Sequence, residues 1–160
     1  MTTISYNNLT EIQRKLLDAA EEVMETAYNP YSNFLVGAAL LTLDEKIIAG
    51  SNVENAAYGS TICAERASLL RANAMGCRMF KSIAIIAKGQ NFETKGVTAP
   101  CGSCRQMLYE FSQISEKNLE IIMATTKKEK IIISSINDLL PRAFGPKDLG
   151  INIKIYQRIL

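Results

Sequence analysis

The chain contains no histidine, so a metal site in it can draw only on cysteine and carboxylate, without the side chain that most often ligates metals. No stretch approaches the roughly 18 apolar residues that read as a membrane-spanning helix. The opening Met1-Thr2-Thr3-Ile4-Ser5-Tyr6 lacks both a charged n-region and an apolar run, so no secretory leader is expected. Together these absences point to a cytoplasmic protein with reduced cysteines and no membrane partner. No Pro/Gly/Ser-rich linker and no repeat interrupts the 160 residues, of which 48% are apolar. A single domain over 1–160, able to bury roughly 70% of its unfolded surface, is therefore expected. An excess of charge of one sign is also missing: 18 basic and 16 acidic residues give a net charge of +2. That balance speaks against a nucleic-acid partner. The one basic cluster, Lys127-Lys128-Glu129-Lys130, lies between apolar runs and reads as a solvated hairpin turn.

What the sequence does hold is Cys63-Ala64-Glu65-Arg66 and, further on, Pro100-Cys101-Gly102-Ser103-Cys104. Three thiolates and a carboxylate are the inventory of a catalytic zinc site, in which three protein ligands leave the fourth corner to water. A closed structural site would need Cys77 as well. The pattern Ile62, Ala64, Ala67, Leu69, Leu70 and Ala74 predicts a helix, with Thr61 as its cap and Gly76 as its stop. Along that axis Cys63 and Cys77 stand about 21 Å apart, far too distant to share an ion. Cys77 then reads as a small buried apolar thiol. Glu65 is two residues from Cys63, a helical spacing at which side chains diverge, so it is expected beside the metal without binding it. There it can take a proton from water and deliver it to a substrate nitrogen. A metal-free redox pair at Cys101-x-x-Cys104 is the other reading of that motif, and it leaves Cys63 and Glu65 unused.

Three thiolates on a dication carry a formal charge of minus one, and two features can offset it. Both cysteine clusters open predicted helices, whose N-termini are partly positive, and Arg66 and Arg105 flank the ligands. Helices are predicted over 10–26, 61–75 and 102–111, and strands over 35–43, 46–51, 82–88, 119–124 and 130–134, with Asp44-Glu45 as the first hairpin turn. Near-continuous apolar strands such as Ile83-Ala84-Ile85-Ile86-Ala87 require a sheet covered on both faces. The expected fold is a three-layer α/β/α sandwich with a mixed five-stranded sheet, its cysteine-bearing helix starts gathered at one edge. After Pro146, Ile151-Asn152-Ile153-Lys154-Ile155-Tyr156 alternates like a short strand without an evident partner.

Asn52-Val53-Glu54 continues the second strand, and alternation puts Asn52 and Glu54 on one side. An amide beside a carboxylate suits vicinal hydroxyls, while a strand-end turn using the same side chains is the competing reading. Tyr28, Tyr31, Phe34, Tyr58 and Phe144 are the aromatics nearest element ends, where they serve either as core edge or as a platform for a flat ring.

Five blocks in order resemble the short zinc-dependent cytidine deaminases of pyrimidine salvage: Pro30-Tyr31-Ser32-Asn33-Phe34-Leu35-Val36-Gly37-Ala38-Ala39-Leu40, Asn52-Val53-Glu54-Asn55-Ala56-Ala57-Tyr58-Gly59, Cys63-Ala64-Glu65-Arg66, Pro100-Cys101-Gly102-Ser103-Cys104-Arg105-Gln106 and Leu139-Leu140-Pro141-Arg142-Ala143-Phe144-Gly145-Pro146. The wider zinc deaminase signature places a catalytic Glu two residues after the first ligand and follows it with Pro-Cys-x-x-Cys. The resemblance implies the cytidine deaminase-like fold and one zinc ion per subunit on Cys63, Cys101 and Cys104. It implies proton transfer by Glu65 between water, ring nitrogen 3 and the leaving amine, and charge compensation at the thiolates by Arg66. It further implies ribose recognition by Asn52 and Glu54, base contacts from Phe34 and the Ala64 backbone, and a pocket wall from Tyr58. Phe144 would reach the pocket of a neighbouring subunit in a homotetramer with shared active sites.

The implied substrates are the small nucleosides cytidine and 2′-deoxycytidine. Deaminases of other amino-pyrimidines, of the blasticidin type or acting on cytosine itself, would leave Asn52 and Glu54 without hydroxyl partners, which is costly if they are buried. Polynucleotide editing lacks a basic channel with interleaved aromatics. A zinc-stabilised scaffold without chemistry is the alternative outside the enzymes.

Overall fold

In the computed structural model, which describes residues 1–158, seven strands make one mixed sheet. In chain order the elements are β1 (Thr2–Ile4), α1 (Glu11–Met24), β2 (Phe34–Thr42), β3 (Ile47–Ser51), α2 (Ala64–Ala74), β4 (Phe80–Gly89), β5 (Phe92–Glu93), α3 (Gly102–Ser115), β6 (Glu120–Ala124), β7 (Ile131–Ser135) and α4 (Ile136–Leu139). The strand order is β1-β7-β6-β4-β2-β3, with β5 added to the end of β4. All pairings are antiparallel except β4 with β6.

Strand β4 explains the layering. Ile83 and Ile85 point into a core shared with Leu69 and Ala72 of α2 and Leu108 of α3, whereas Ala84 and Ile86 point into a second core with Leu16, Leu17 and Ala20 of α1. A strand apolar on both faces has to be covered twice, and each of these isoleucines contributes about 2 kcal/mol by leaving water. The three-layer expectation holds, and the five expected strands are all present.

Several expectations need correction. The sheet has seven strands: β1 pairs with β7 across most of the chain and β5 spans two residues, lengths at which periodicity carries no signal. Helix α2 starts at Ala64 with Cys63 as its cap, because Thr61 and Ile62 remain extended, Ile62 pairing with Val53. Helix α3 runs four residues past 111, to Ser115, closing on Glu116 in the left-handed conformation. The segment after Pro146 forms 3-10 turns at Pro146–Leu149 and Ile153–Tyr156 instead of a strand. It packs on α3, where Ile153 is buried and the Gln157 side chain donates to the Ile114 carbonyl at 2.9 Å. The basic cluster does form a hairpin turn, with Lys128 at φ 57°, but Lys128 reaches back to α1 and pairs with Asp18 and Glu21 instead of being solvated.

Candidate active site

The candidate site is assembled at the end of the sheet where β3 and β4 finish and β2 begins. Val53 is the organiser. It bridges Tyr28 on one side and Ile62 on the other, so the chain reaches Cys63 one residue after a pinned position. Cys63 and Cys101 are the N-caps of α2 and α3, both in extended backbone conformation and neither accepting a side-chain cap hydrogen bond. Cys104 lies in the first turn of α3, 3.4 Å from Cys101 sulfur to sulfur. The three sulfurs all lie within 4.8 Å of one another. Cys77 is buried in the core near the far end of α2 and takes no part.

This donor set fits zinc. Sulfurs held tetrahedrally by bonds of about 2.3 Å stand about 3.8 Å apart, a spacing that lies between the 3.4 Å of Cys101 to Cys104 and the 4.8 Å limit on the whole set, so only small adjustments are needed. A thiol hydrogen bond from Cys104, aided by Arg66 and Cys101 and opposed by burial, lowers the Cys63 thiol to about 5. Cys104 is raised in turn by the same pairing and by burial. One sulfur is thus already disposed to be thiolate at neutral pH. The Arg66 guanidinium donates to the Thr61 carbonyl at 2.7 Å and sits 3.9 Å from the Cys63 sulfur. Its Nε is the one buried side-chain polar atom without a hydrogen-bond partner among the described residues. Arg105 points elsewhere, donating to the carbonyls of Pro100 and Leu139 at 2.7 and 2.9 Å, and so fixes the loop entering α3.

Glu65 follows Cys63 by two residues and is only 4% exposed. Burial raises its carboxyl above the ordinary glutamate range, the Cys63 thiolate adds to the rise, and hydrogen bonds with its own backbone amide and Cys104 oppose it. A protonatable carboxyl therefore stands against the sulfur cluster. Ala64, the first residue of α2, is buried beside it.

A family model of the cytidine and deoxycytidylate deaminase zinc-binding region matches residues 10–119. The chain belongs to this family. A cytidine deaminase from Sporosarcina psychrophila is 42% identical over 136 residues, covering 85% of this chain and 93% of that protein. The crystal structure of a cytidine deaminase from Burkholderia pseudomallei is similar with a TM-score of 0.74 at 43% identity, covering 85% of this chain and 100% of the other. That of a cytidine deaminase from Mycobacterium tuberculosis gives 0.67 at 34% identity, over 83% and 97% of the two chains. As a member of a zinc-binding deaminase family, the chain is an enzyme with zinc as its cofactor, and the Cys63, Cys101 and Cys104 cluster is able to hold it. No helix among the described residues is long and apolar enough to cross a membrane.

Around the cysteines, the residues expected to meet substrate are only partly gathered. Asn52 is buried, Val53 exposed and Glu54 half-buried, the alternation expected of an extended strand end. The Asn52 amide is already engaged: its Oδ1 accepts from the Val36 amide at 2.8 Å and its Nδ2 donates to the Phe34 carbonyl at 3.0 Å. Glu54 Oε2 accepts from the Tyr31 and Ser32 amides at 2.9 and 3.2 Å. A side-chain hydrogen bond from Ser32 and these two amides hold its carboxyl below the usual range despite some desolvation. Both residues thus order the 28–34 loop, whatever else they bind. Tyr58 is exposed and meets Tyr31 edge-on, with ring centroids 5.8 Å apart. Phe144 is also exposed and borders a cavity of about 450 Å³ between α3 and the C-terminal turns, a cavity whose lining includes none of the cysteines. Sequence reading passed over Phe92, whose ring stacks on Phe34. The available signal was Gly89-Gln90-Asn91 directly after an apolar strand, a hairpin cue.

Proposed function

We propose that this protein hydrolyses cytidine and 2′-deoxycytidine to uridine and 2′-deoxyuridine with release of ammonia, serving pyrimidine salvage. The observation that carries the reading is the buried Glu65 carboxyl set against a three-sulfur cluster at the starts of two helices. Cys63, Cys101 and Cys104 would hold the zinc, which when bound would lower the pKa of water toward neutrality. The chain's own residues do the rest. Glu65 accepts the proton that water gives up and passes it to ring nitrogen 3, which makes carbon 4 electrophilic. After oxygen has joined carbon 4, Glu65 moves a second proton to the exocyclic amine, the carbon–nitrogen bond breaks, and ammonia leaves behind a carbonyl. Arg66 offsets thiolate charge, as do the positive ends of α2 and α3. Phe34 and the Ala64 backbone orient the base, Asn52 and Glu54 meet ribose hydroxyls with the hydrogen-bonding capacity their loop contacts leave, and Tyr58 bounds the pocket. Phe144, exposed and away from its own cysteines, serves the site of a neighbouring subunit in a homotetramer.

The test is to incubate the zinc-replete protein with cytidine, 2′-deoxycytidine and cytosine separately, following ring absorbance and ammonia. Both nucleosides are expected to turn over while cytosine does not; reaction of cytosine alone would remove Asn52 and Glu54 from ribose recognition. Glu65→Ala should lose at least about a hundredfold in kcat, as expected on removing a general acid–base group, with zinc content unchanged. Retained activity, or lost zinc, would remove Glu65 from the role of proton carrier.

A further inference from the structure

The β4–β5 hairpin, we infer, positions the base of the bound nucleoside, with Phe92 acting through Phe34 as a positioning residue; the inference rests on the reading that Phe34 contacts the base. Three residues lie side by side across three strands: Phe34 pairs with Gly89, and Gly89 with Phe92. Residues in one such row present their side chains to the same face. Because Gly89 has none, the Phe92 ring can lie across it. A Cβ at Gly89 would stand 2.1 to 2.4 Å from Cε1, Cδ1 and Cζ of Phe92. The ring thereby reaches Phe34, with centroids 6.4 Å apart and planes inclined by 28°, within the range of favourable offset stacking.

The hairpin that carries this ring is fastened independently of it. Thr94 Oγ1 and Thr126 Oγ1 both donate to the Ala87 carbonyl, at 3.1 and 2.8 Å, and the Thr94 amide donates to Thr126 Oγ1 at 3.1 Å. The Gln90 amide donates to the carbonyl of Asn33 at 2.8 Å, tying the turn to the residue before Phe34. On the other side, Asn52 holds the Phe34 carbonyl. The backbone of Phe34 is thus set by Asn52 and its ring by Phe92. Phe92 itself is 62% exposed and belongs to neither hydrophobic core, so core packing does not explain it. A ring held in place before substrate arrives spares the ordering cost that binding would otherwise meet.

Steady-state kinetics on the zinc-loaded enzyme test this with Phe34→Ala, Phe92→Ala, Phe92→Tyr and Gly89→Ala. Losing one stacked partner should raise KM for cytidine roughly three- to tenfold in Phe92→Ala, with kcat within about twofold. Gly89→Ala, which displaces the ring, should shift KM in the same direction, and Phe92→Tyr should restore it. Phe34→Ala should raise KM at least as much as Phe92→Ala. If Phe34→Ala raised KM while Phe92→Ala left it unchanged, the positioning role would be overturned and the Phe34 reading would stand. An unchanged KM in Phe34→Ala would overturn both. Parallel loss of kcat, zinc and melting temperature in Phe92→Ala would make Phe92 a general structural residue and also overturn the proposal.

Discussion

Helix α1 and helices α2 and α3 begin in opposite ways. At the start of α1, Thr10 Oγ1 accepts from the Gln13 amide at 3.3 Å and Gln13 Oε1 accepts from the Thr10 amide at 2.9 Å, a reciprocal cap that satisfies two otherwise unpaired donors. Helices α2 and α3 begin on Cys63 and Cys101, and neither sulfur caps its helix. Those two starts keep their unpaired amides and partial positive charge for the anionic sulfurs. Local stability is complete where a helix only packs, and incomplete where two helices meet a metal site.

Cys63→Ser should break the comparison most severely. Serine at an extended N-cap accepts from the third helical amide and stabilises a helix by about 1 kcal/mol, so the metal-free variant should be at least as stable as the metal-free parent. It should nevertheless lose zinc, and more than about a hundredfold in activity, since even groups that only support metal ligands cost 10–100-fold. Metal analysis, kinetics and urea titration after chelation check the three parts. A variant that kept zinc would show that Cys63 is no ligand. Thr10→Ala, the matching change on the other side, should cost about 1 kcal/mol, lowering the melting temperature by about 2–4 °C. Zinc content and KM should stay at the parental values; a change in either would mean that the α1 face is coupled to the site.

The same contrast explains what could be read in the sequence. The central strands and three main helices were legible because runs such as Ile83-Ala84-Ile85-Ile86-Ala87 and the Asp44-Glu45 turn are local signals. The cysteine cluster was legible because each of its two motifs sits within one helix start. Strand β1 was not, since three residues gain meaning only by pairing with β7 near the other end of the chain. The alternation of Ile151, Ile153 and Ile155 suggested a strand, yet only Ile153 is buried, against α3; alternation alone supplies no partner. The loop-ordering bonds of Asn52 were hidden for a related reason, because its contacts with Phe34 and Val36 depend on the register of β2 against β3.

Charge follows the pattern set by the caps. Beside α1, Lys128 Nζ meets Asp18 at 2.7 Å and Glu21 at 2.6 Å and lies 5.0 Å from the centroid of the Tyr6 ring, whereas at the site the Nε of Arg66 has no hydrogen-bond partner among the described residues. Desolvation lowers the Lys128 pKa, but Asp18 and Glu21 outweigh it and leave it raised. Burial and Asp18 also raise the Tyr6 phenol. A lysine whose folded pKa exceeds its unfolded value contributes stability that is complete below the unfolded pKa, about 10.4. That contribution is lost as pH rises through the folded value. The neutral Tyr6 phenol follows the same direction, so both weaken the fold on the alkaline side only. Lys128→Met should therefore cost about 1 kcal/mol at pH 7, the upper end for a solvent-accessible pair, and the gap to the parent should close above about pH 10.5. Urea denaturation at pH 7, 9 and 11 checks it: a gap that widened with pH would mean that the lysine tip acts through packing of its stem and not through its charge.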